Sequence, residues 1–186
     1  MPDAAPEGIL KGMYLFRKSI PDARPRVQLM GAGTILREVI AAAEMLERDW
    51  GVAADVWSVT SFSELRRDAM AAEREHRLRG DASRSWIANC LSEAPGPIVA
   101  ASDYVRAVPD LIAPFTGRRF TALGTDGFGR SDTRAKLRPF FEVSREHIVI
   151  AALAALTDEG TLARATVDEA ISRTGIDPLA PPPWTR

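Results

Sequence analysis

Apolar residues along this chain fall into two alternating patterns: short, mostly apolar runs, and longer stretches in which they return every three or four positions. The short runs are Met13 to Phe16, Val27 to Met30, Ala54 to Val59, Ile98 to Ala101 and Phe120 to Leu123. They predict buried strands, the first lying at a sheet edge. Between them, Leu36, Val39, Ile40, Ala43, Leu46 and Trp50 repeat at helical spacing, and Gly51 ends that helix. Ser61-Phe62-Ser63-Glu64 has capping-box spacing, with Ser61 serving the first turn and Glu64 reaching back, and opens a charged helix to about Leu78. Further helices are predicted over Trp86 to Leu91, from Asp103-Tyr104, and over Thr133 to Phe141 despite Pro139. Ser144 caps the most apolar helix, which contains Ile148, Val149, Ala152, Leu153 and Leu156 and stops at Gly160. Val167 to Arg173 is closed by Gly175.

Proline and glycine punctuate the rest. Pro2 and Pro6 mark a leader, Pro21 and Pro25 a turn, Gly80 to Ser85 a polar break, and Pro95-Gly96-Pro97 another. Pro178 and Pro181 to Pro183 predict an extended tail. The alternation of strand and helix defines an α/β fold, a three-layer domain with a mostly parallel central sheet. Its expected limits are residues 13–177, with a leader over 1–12 and a Pro-rich tail over 178–186. At 186 residues, the chain can bury a core without disulfides or metal.

Composition narrows the function classes. With 24 Lys and Arg against 25 Asp and Glu, the formal charge of -1 gives no footprint for nucleic acid or an acidic membrane. The longest apolar run, Ile148 to Leu156, falls well short of the roughly 20 residues a membrane-spanning helix needs. The N-terminus lacks the basic patch and apolar segment of a secretory signal, and a single cysteine, Cys90, fits a reducing compartment. The expected location is the cytoplasm.

Candidate chemistry is sparse. Gly31-Ala32-Gly33-Thr34 lies between a strand and a helix, where free N–H groups could hold a phosphate. The favoured alternative is that glycines there let the chain turn while Thr34 caps the helix. Neither a dinucleotide fingerprint nor a P-loop is completed, since Leu36 stands at the third glycine position. His76 and His147 fall on different helices without neighbouring ligands at metal spacing, and Cys90 reads as a small buried residue. No Gly-x-Ser-x-Gly elbow occurs. The most unusual feature is the loop Gly124 to Asp132. It is either a turn stabilised by its own side chains, with Asp132 or Ser131 capping the next helix, or a contact surface for another domain or subunit. In the second reading Phe128 is an apolar anchor and Arg130 pairs with a carboxylate, and Thr125, Asp126, Phe128, Arg130 and Asp132 are the candidate interface residues.

Several blocks together resemble a known family. They are Val27 to Glu38 (VQLMGAGTILRE), Gly51 to Phe62 (GVAADVWSVTSF), Ala101 to Tyr104 (ASDY), Leu123 to Asp132 (LGTDGFGRSD) and Phe140 to Val143 (FFEV). In this order they are similar to the C-terminal domain of the homodimeric bacterial pyruvate dehydrogenase E1 components, within the wider transketolase-like enzymes. The similarity runs from about Gly8 to Asp177. It implies a transketolase C-terminal-domain fold within an enzyme several times longer. Two preceding domains of that enzyme bind thiamine diphosphate and magnesium, decarboxylate pyruvate and pass the two-carbon unit to lipoyl groups on an E2 acetyltransferase. The implied partners are the remaining E1 domains, the second E1 subunit and E2. The family's metal-diphosphate motif, Gly-Asp-Gly followed by Asn, is not matched: the sole asparagine, Asn89, follows no Gly-Asp-Gly. No catalytic, cofactor-binding or metal-binding residue therefore carries over, and the chain by itself is expected to be inactive. The family's Glu-Arg-Trp-Asn-x-Leu-His-Pro stretch reads Glu73-Arg74-Glu75-His76-Arg77-Leu78-Arg79-Gly80 here, and Asp81 to Ser85 is short. That divergence leaves room for an E1 of a related 2-oxo acid dehydrogenase. Two further alternatives are a free-standing module that docks on an E1 or E2 assembly, and an independent nucleotide- or phosphate-binding protein using Gly31 to Thr34.

Overall fold

The computed structural model describes residues 5–20, 24–80 and 84–186; the expectations at Pro2, Pro21 and 81–83 lie outside them. Five strands form one sheet: β1 (Met13–Arg17), β2 (Arg26–Ala32), β3 (Ala53–Val59), β4 (Ile98–Ala101) and β5 (Phe120–Leu123). Their order is β1-β3-β2-β4-β5, with β1 antiparallel on β3 and every other pairing parallel. The helices are α1 (Ala5–Lys11), α2 (Leu36–Asp49), α3 (Phe62–Arg79), α4 (Trp86–Leu91), α5 (Ala107–Asp110), α6 (Arg134–Phe140), α7 (Arg145–Asp158) and α8 (Arg164–Thr174). The α/β class and the edge position of the first strand agree with the hydrophobic pattern.

Strand alternation splits the core in two, because successive side chains point to opposite faces. Val27, Leu29, Val56 and Val99 pack with α2, α7 and α8, whereas Met30, Trp57, Ile98 and Ala100 pack with α3 and α4. Gln28 shares the second face and is fully buried. It donates to Asp55 Oδ2 at 3.0 Å and Pro95 O at 2.9 Å, and accepts from Trp57 Nε1 at 2.8 Å. Both amide hydrogens and the carbonyl oxygen are engaged, which offsets the cost of burying an amide.

Within residues 5–12, α1 closes on β1, and a Cβ at Gly8 would lie 2.6 Å from Tyr14 Cβ. Three local expectations are corrected. Ser61 does cap α3, accepting from Glu64 N at 3.1 Å, but the capping box is half formed. The Ser61 N–H is already taken by Gly12 O at 3.1 Å, and the Glu64 carboxylate pairs with Arg67 instead. The helix expected from Asp103-Tyr104 starts only at Ala107, since Tyr104 O is taken by Thr125 N at 2.8 Å. The tail does not stay extended: Pro183–Thr185 forms a 3-10 turn with Pro183 buried.

From its carboxyl end β2 leads through α2 to β3 on one side of the sheet order, whereas β4 leads through α5 to β5 on the other side. The carboxyl ends of the adjacent parallel strands β2 and β4 therefore face connections that leave in opposite directions. This is the topological switch point where α/β sheets form a crevice.

Candidate functional site

Two features share this end of the sheet: a protruding loop and a cleft. The loop follows β5 and is fastened at its base. Thr125 Oγ1 donates to Asp103 O at 2.8 Å, and Asp126 Oδ1 accepts from Arg106 N at 3.0 Å. The Arg106 guanidinium stands 3.8 Å from Asp126 Oδ2. Gly124 has no room for a side chain, since a Cβ there would lie 2.5 Å from Tyr104 O. Gly127 adopts a φ of +96° beneath the tail, where a Cβ would meet Trp184 Cα at 2.8 Å. That conformation favours glycine for backbone reasons alone.

Above this base Phe128 projects with 85% of its surface exposed, the largest aromatic exposure among the described residues. Tyr104, Val105 and Trp184 are exposed in segments joined to the same loop, at 57%, 47% and 48%. Four large exposed apolar side chains thus stand on segments tied to this end of the sheet. Arg130 lies 5.3 Å from the Phe140 ring centroid, a cation–π contact, and Arg186 approaches the same ring at 5.3 Å. Asp132 Oδ1 accepts from Thr133 N at 2.7 Å and stands 3.8 Å from Lys136. It shapes the entry to α6 from one residue before the N-cap position, which Thr133 holds.

The cleft lies beside the loop, with a volume of about 390 Å³. Thr34, from the glycine turn, and Thr125 and Arg130, from the loop, meet there with Asp103 and Arg134 over a floor of Ile35, Leu137, Phe141 and Val143. The pattern along the sequence did not single out Asp103, Arg134, Tyr104, Val105 or Trp184. Asp103 could have been found as the second residue past β4 beside the switch point.

At the glycine turn, close packing and a neighbouring carboxylate decide what the exposed residues can do. Gly31 is still in β2, packed so closely that a Cβ would lie 2.8 Å from Leu36 Cα. Gly33 has φ +54°, and the Asp103 carboxylate faces it, 3.5 Å from where its Cβ would be. Thr34 Oγ1 donates to Asp103 Oδ2 at 3.4 Å. A phosphate on the turn itself would meet that carboxylate, so the glycines serve close packing and the backbone turn.

Behind the cleft, Glu38 is buried in α2 and binds two arginines. Arg138 Nη1 lies 2.6 Å from Oε1, and Arg145 Nε lies 2.9 Å from Oε2. Burial opposes its ionisation, but the Arg145 hydrogen bonds and the charges of Arg145 and Arg138 outweigh it and hold the carboxyl below its usual range. The group ties α2 to α6 and α7.

The remaining titratable candidates stand apart. His147 lies in the first turn of α7 with Nδ1 2.9 Å from Ser144 Oγ, which donates to Glu146 Oε2 at 2.6 Å. The one hydroxyl proton goes to Glu146, so Nδ1–H is the donor to Ser144. Burial lowers the His147 pKa, against the opposing charges of Glu142 and Glu146. Cys90 is half-buried, and burial together with Glu7 pushes its thiol up to about 11, leaving it protonated and unreactive at neutral pH.

This donor set does not fit the magnesium ion that accompanies thiamine diphosphate. Asp103 is the one carboxylate in the cleft, and among the described residues no group of three or more His, Cys, Asp or Glu converges. Among them, too, no helix is long and apolar enough to cross a membrane.

Comparison with known proteins agrees with the architecture. The family model described as the transketolase-like TK C-terminal domain matches residues 12–144. The chain belongs to this family. It is 51% identical, over its whole length, to the pyruvate dehydrogenase E1 component of Cupriavidus necator, and 50% identical over 96% of its length to that of Pseudomonas aeruginosa. The Escherichia coli K12 E1 component is 42% identical over 95% of the chain. The chain spans about a fifth of the length of these relatives, covering 21%, 20% and 20% of them, and corresponds to their transketolase-like C-terminal region. Among solved structures, a Pichia stipitis transketolase crystallised with xylulose 5-phosphate aligns with a TM-score of 0.54 at 18% identity, over 83% of this chain and 19% of that one. A split-gene transketolase, an inactive β4 tetramer, aligns at 0.52 and 18% identity, over 78% of this chain and 42% of that one. At such identities these two show the fold alone.

Proposed function

We propose that this chain is the supporting C-terminal lobe of a pyruvate dehydrogenase E1 component and that its reactive machinery lies in other domains. The observation that carries the reading is identity of 51% across the entire chain to a protein of that name, of which the chain covers 21%. In this reading the complete enzyme uses thiamine diphosphate and magnesium to decarboxylate pyruvate and hands the two-carbon unit to lipoyl groups on E2. The lobe supplies contact surface for the cofactor-binding domains and the second subunit.

The surface it offers is the Phe128 patch. An aromatic ring held out in water on a fastened base favours a partner that covers it, because burying such a side chain contributes roughly 1.5–3 kcal/mol. Thr125 and Asp126 act within the lobe by fixing the loop, whereas Phe128 and Arg130 face outward. Arg130 does so stacked on Phe140 and remains available to a carboxylate. Asp132 orients α6 beside them. The compartment that suits this role is the cytoplasm, consistent with a lone protonated thiol.

Calorimetric titration of the 186-residue chain with thiamine diphosphate and magnesium tests the division of roles. The expected result is no heat of binding and no pyruvate decarboxylation, and tight cofactor binding would overturn it. A second reading, in which the lobe acts as a separate polypeptide docking on an E1 assembly, draws support from the split-gene transketolase with the same fold. Purifying the native protein and measuring its mass separates the two.

A further inference from the structure

We propose that the switch-point cleft binds a small organic anion, a carboxylate or phosphate carried on an apolar body, whose charge Arg130 and Arg134 receive. This does not rest on the E1 reading, since every lining residue belongs to this chain. The cleft is concave, lies where the carboxyl ends of β2 and β4 diverge, and has about 390 Å³ of space, the size and position at which α/β domains take small ligands.

Its walls differ in chemistry. Ile35, Phe141 and Val143 form a buried apolar floor, and Leu137 is half-buried beside them. Three arginines line the cleft, but they are not equivalent. The Arg138 charge is spent on Glu38 at 2.6 Å. Arg134 has no ion-pair partner among the described residues, and Arg130 is held by the Phe140 ring rather than by a carboxylate. Two guanidinium groups over an apolar floor suit an anion with a hydrocarbon part, since arginine presents a planar fork to carboxylate and phosphate alike.

Asp103, on the opposite turn, limits the ligand. Its carboxylate faces Gly33 and accepts from Thr34, so it repels a second anionic group at that end and suits a neutral or hydrogen-bond-donating one. The ligand is therefore charged at one end only.

Amide chemical-shift titrations of the 186-residue chain with phenyl phosphate, benzoate and inorganic phosphate test this. Saturable binding at millimolar concentration or tighter is expected for at least one aromatic anion, with shifts at Thr34, Thr125 and Gly129. Inorganic phosphate, lacking an apolar body, should bind about tenfold more weakly. Comparing phenyl phosphate with benzoate tells which charged group the cleft prefers. Arg134→Gln, at an exposed position, should leave the remaining spectrum unchanged and weaken binding about tenfold, as should Arg130→Gln. Absence of saturation by both aromatic anions, shifts confined to another face, or affinity unchanged in the Arg130→Gln, Arg134→Gln double variant would overturn the proposal. So would binding of an acidic peptide with no response to either aromatic anion, which would assign the cleft to a protein segment.

Discussion

The carboxylate of Asp126 accepts the backbone N–H of Arg106 at 3.0 Å, joining the loop after β5 to the segment after β4. This bond and the Thr125 contacts convert a glycine-rich loop into a fixed mount for Phe128. Asp126→Ala should free the Arg106 amide, accelerating its hydrogen exchange, and cost about 1–2 kcal/mol in urea unfolding. Asp126→Asn keeps an oxygen acceptor and should retain most of the protection.

Glycine positions give a sharper contrast. A Cβ at Gly96 would lie 1.9 Å from Arg26 O, and Gly96 also has φ +91°, whereas Gly51 has φ +62° with nothing within 4 Å. Gly96→Ala should destabilise the domain by more than about 3 kcal/mol or prevent folding, and Gly51→Ala by only about 1 kcal/mol. Urea denaturation of the two variants checks the order.

Glu38 is the one carboxylate bound by both Arg138 and Arg145. Glu38→Ala leaves two cations crowded without their anion and should cost about 2–4 kcal/mol, since breaking a buried pair exposes its desolvation cost. Much of the loss should come from the α6 and α7 ends, visible as faster exchange at the Arg145 amide, which Glu38 accepts at 3.2 Å.

Stability should fall on acidification in two stages. His147 has a folded pKa below 6.5, so below that value the unfolded chain binds the extra proton and stability declines until pH passes the folded pKa. Glu38, also depressed, contributes fully above 4.5, and its contribution is lost as pH falls through its folded value. His147→Gln should flatten the first stage only. Thermal melts between pH 7 and 3 measure both.

Much of the fold was legible because strand runs and helical periods are strong local signals. All five short apolar runs lie in strands, and Gly51, Gly80 and Gly175 stand where helices end. What sequence could not show depends on contacts between distant segments. The Glu64 carboxylate left its capping role because Gly12, far away in the chain, had already taken the Ser61 N–H. The helix expected at Asp103-Tyr104 yielded to a loop bond from Thr125, and the tail turned because Gly127 leaves space beneath Trp184. The loop itself was found from its glycines. Its neighbours Tyr104, Val105 and Trp184, and the cleft partner Arg134, come from segments that only the folded sheet end brings together.

Reconstitution shows whether the domain serves as a supporting lobe. The 186-residue chain is mixed with the Pseudomonas aeruginosa E1 component from which the matching segment has been deleted, and association is followed by sedimentation velocity alongside pyruvate decarboxylation. A supporting lobe should form a complex at micromolar concentration with recovered turnover, weakened about tenfold by Phe128→Ala while that variant keeps wild-type stability. Failure of the intact chain to associate, or association indifferent to Phe128→Ala, would contradict that role.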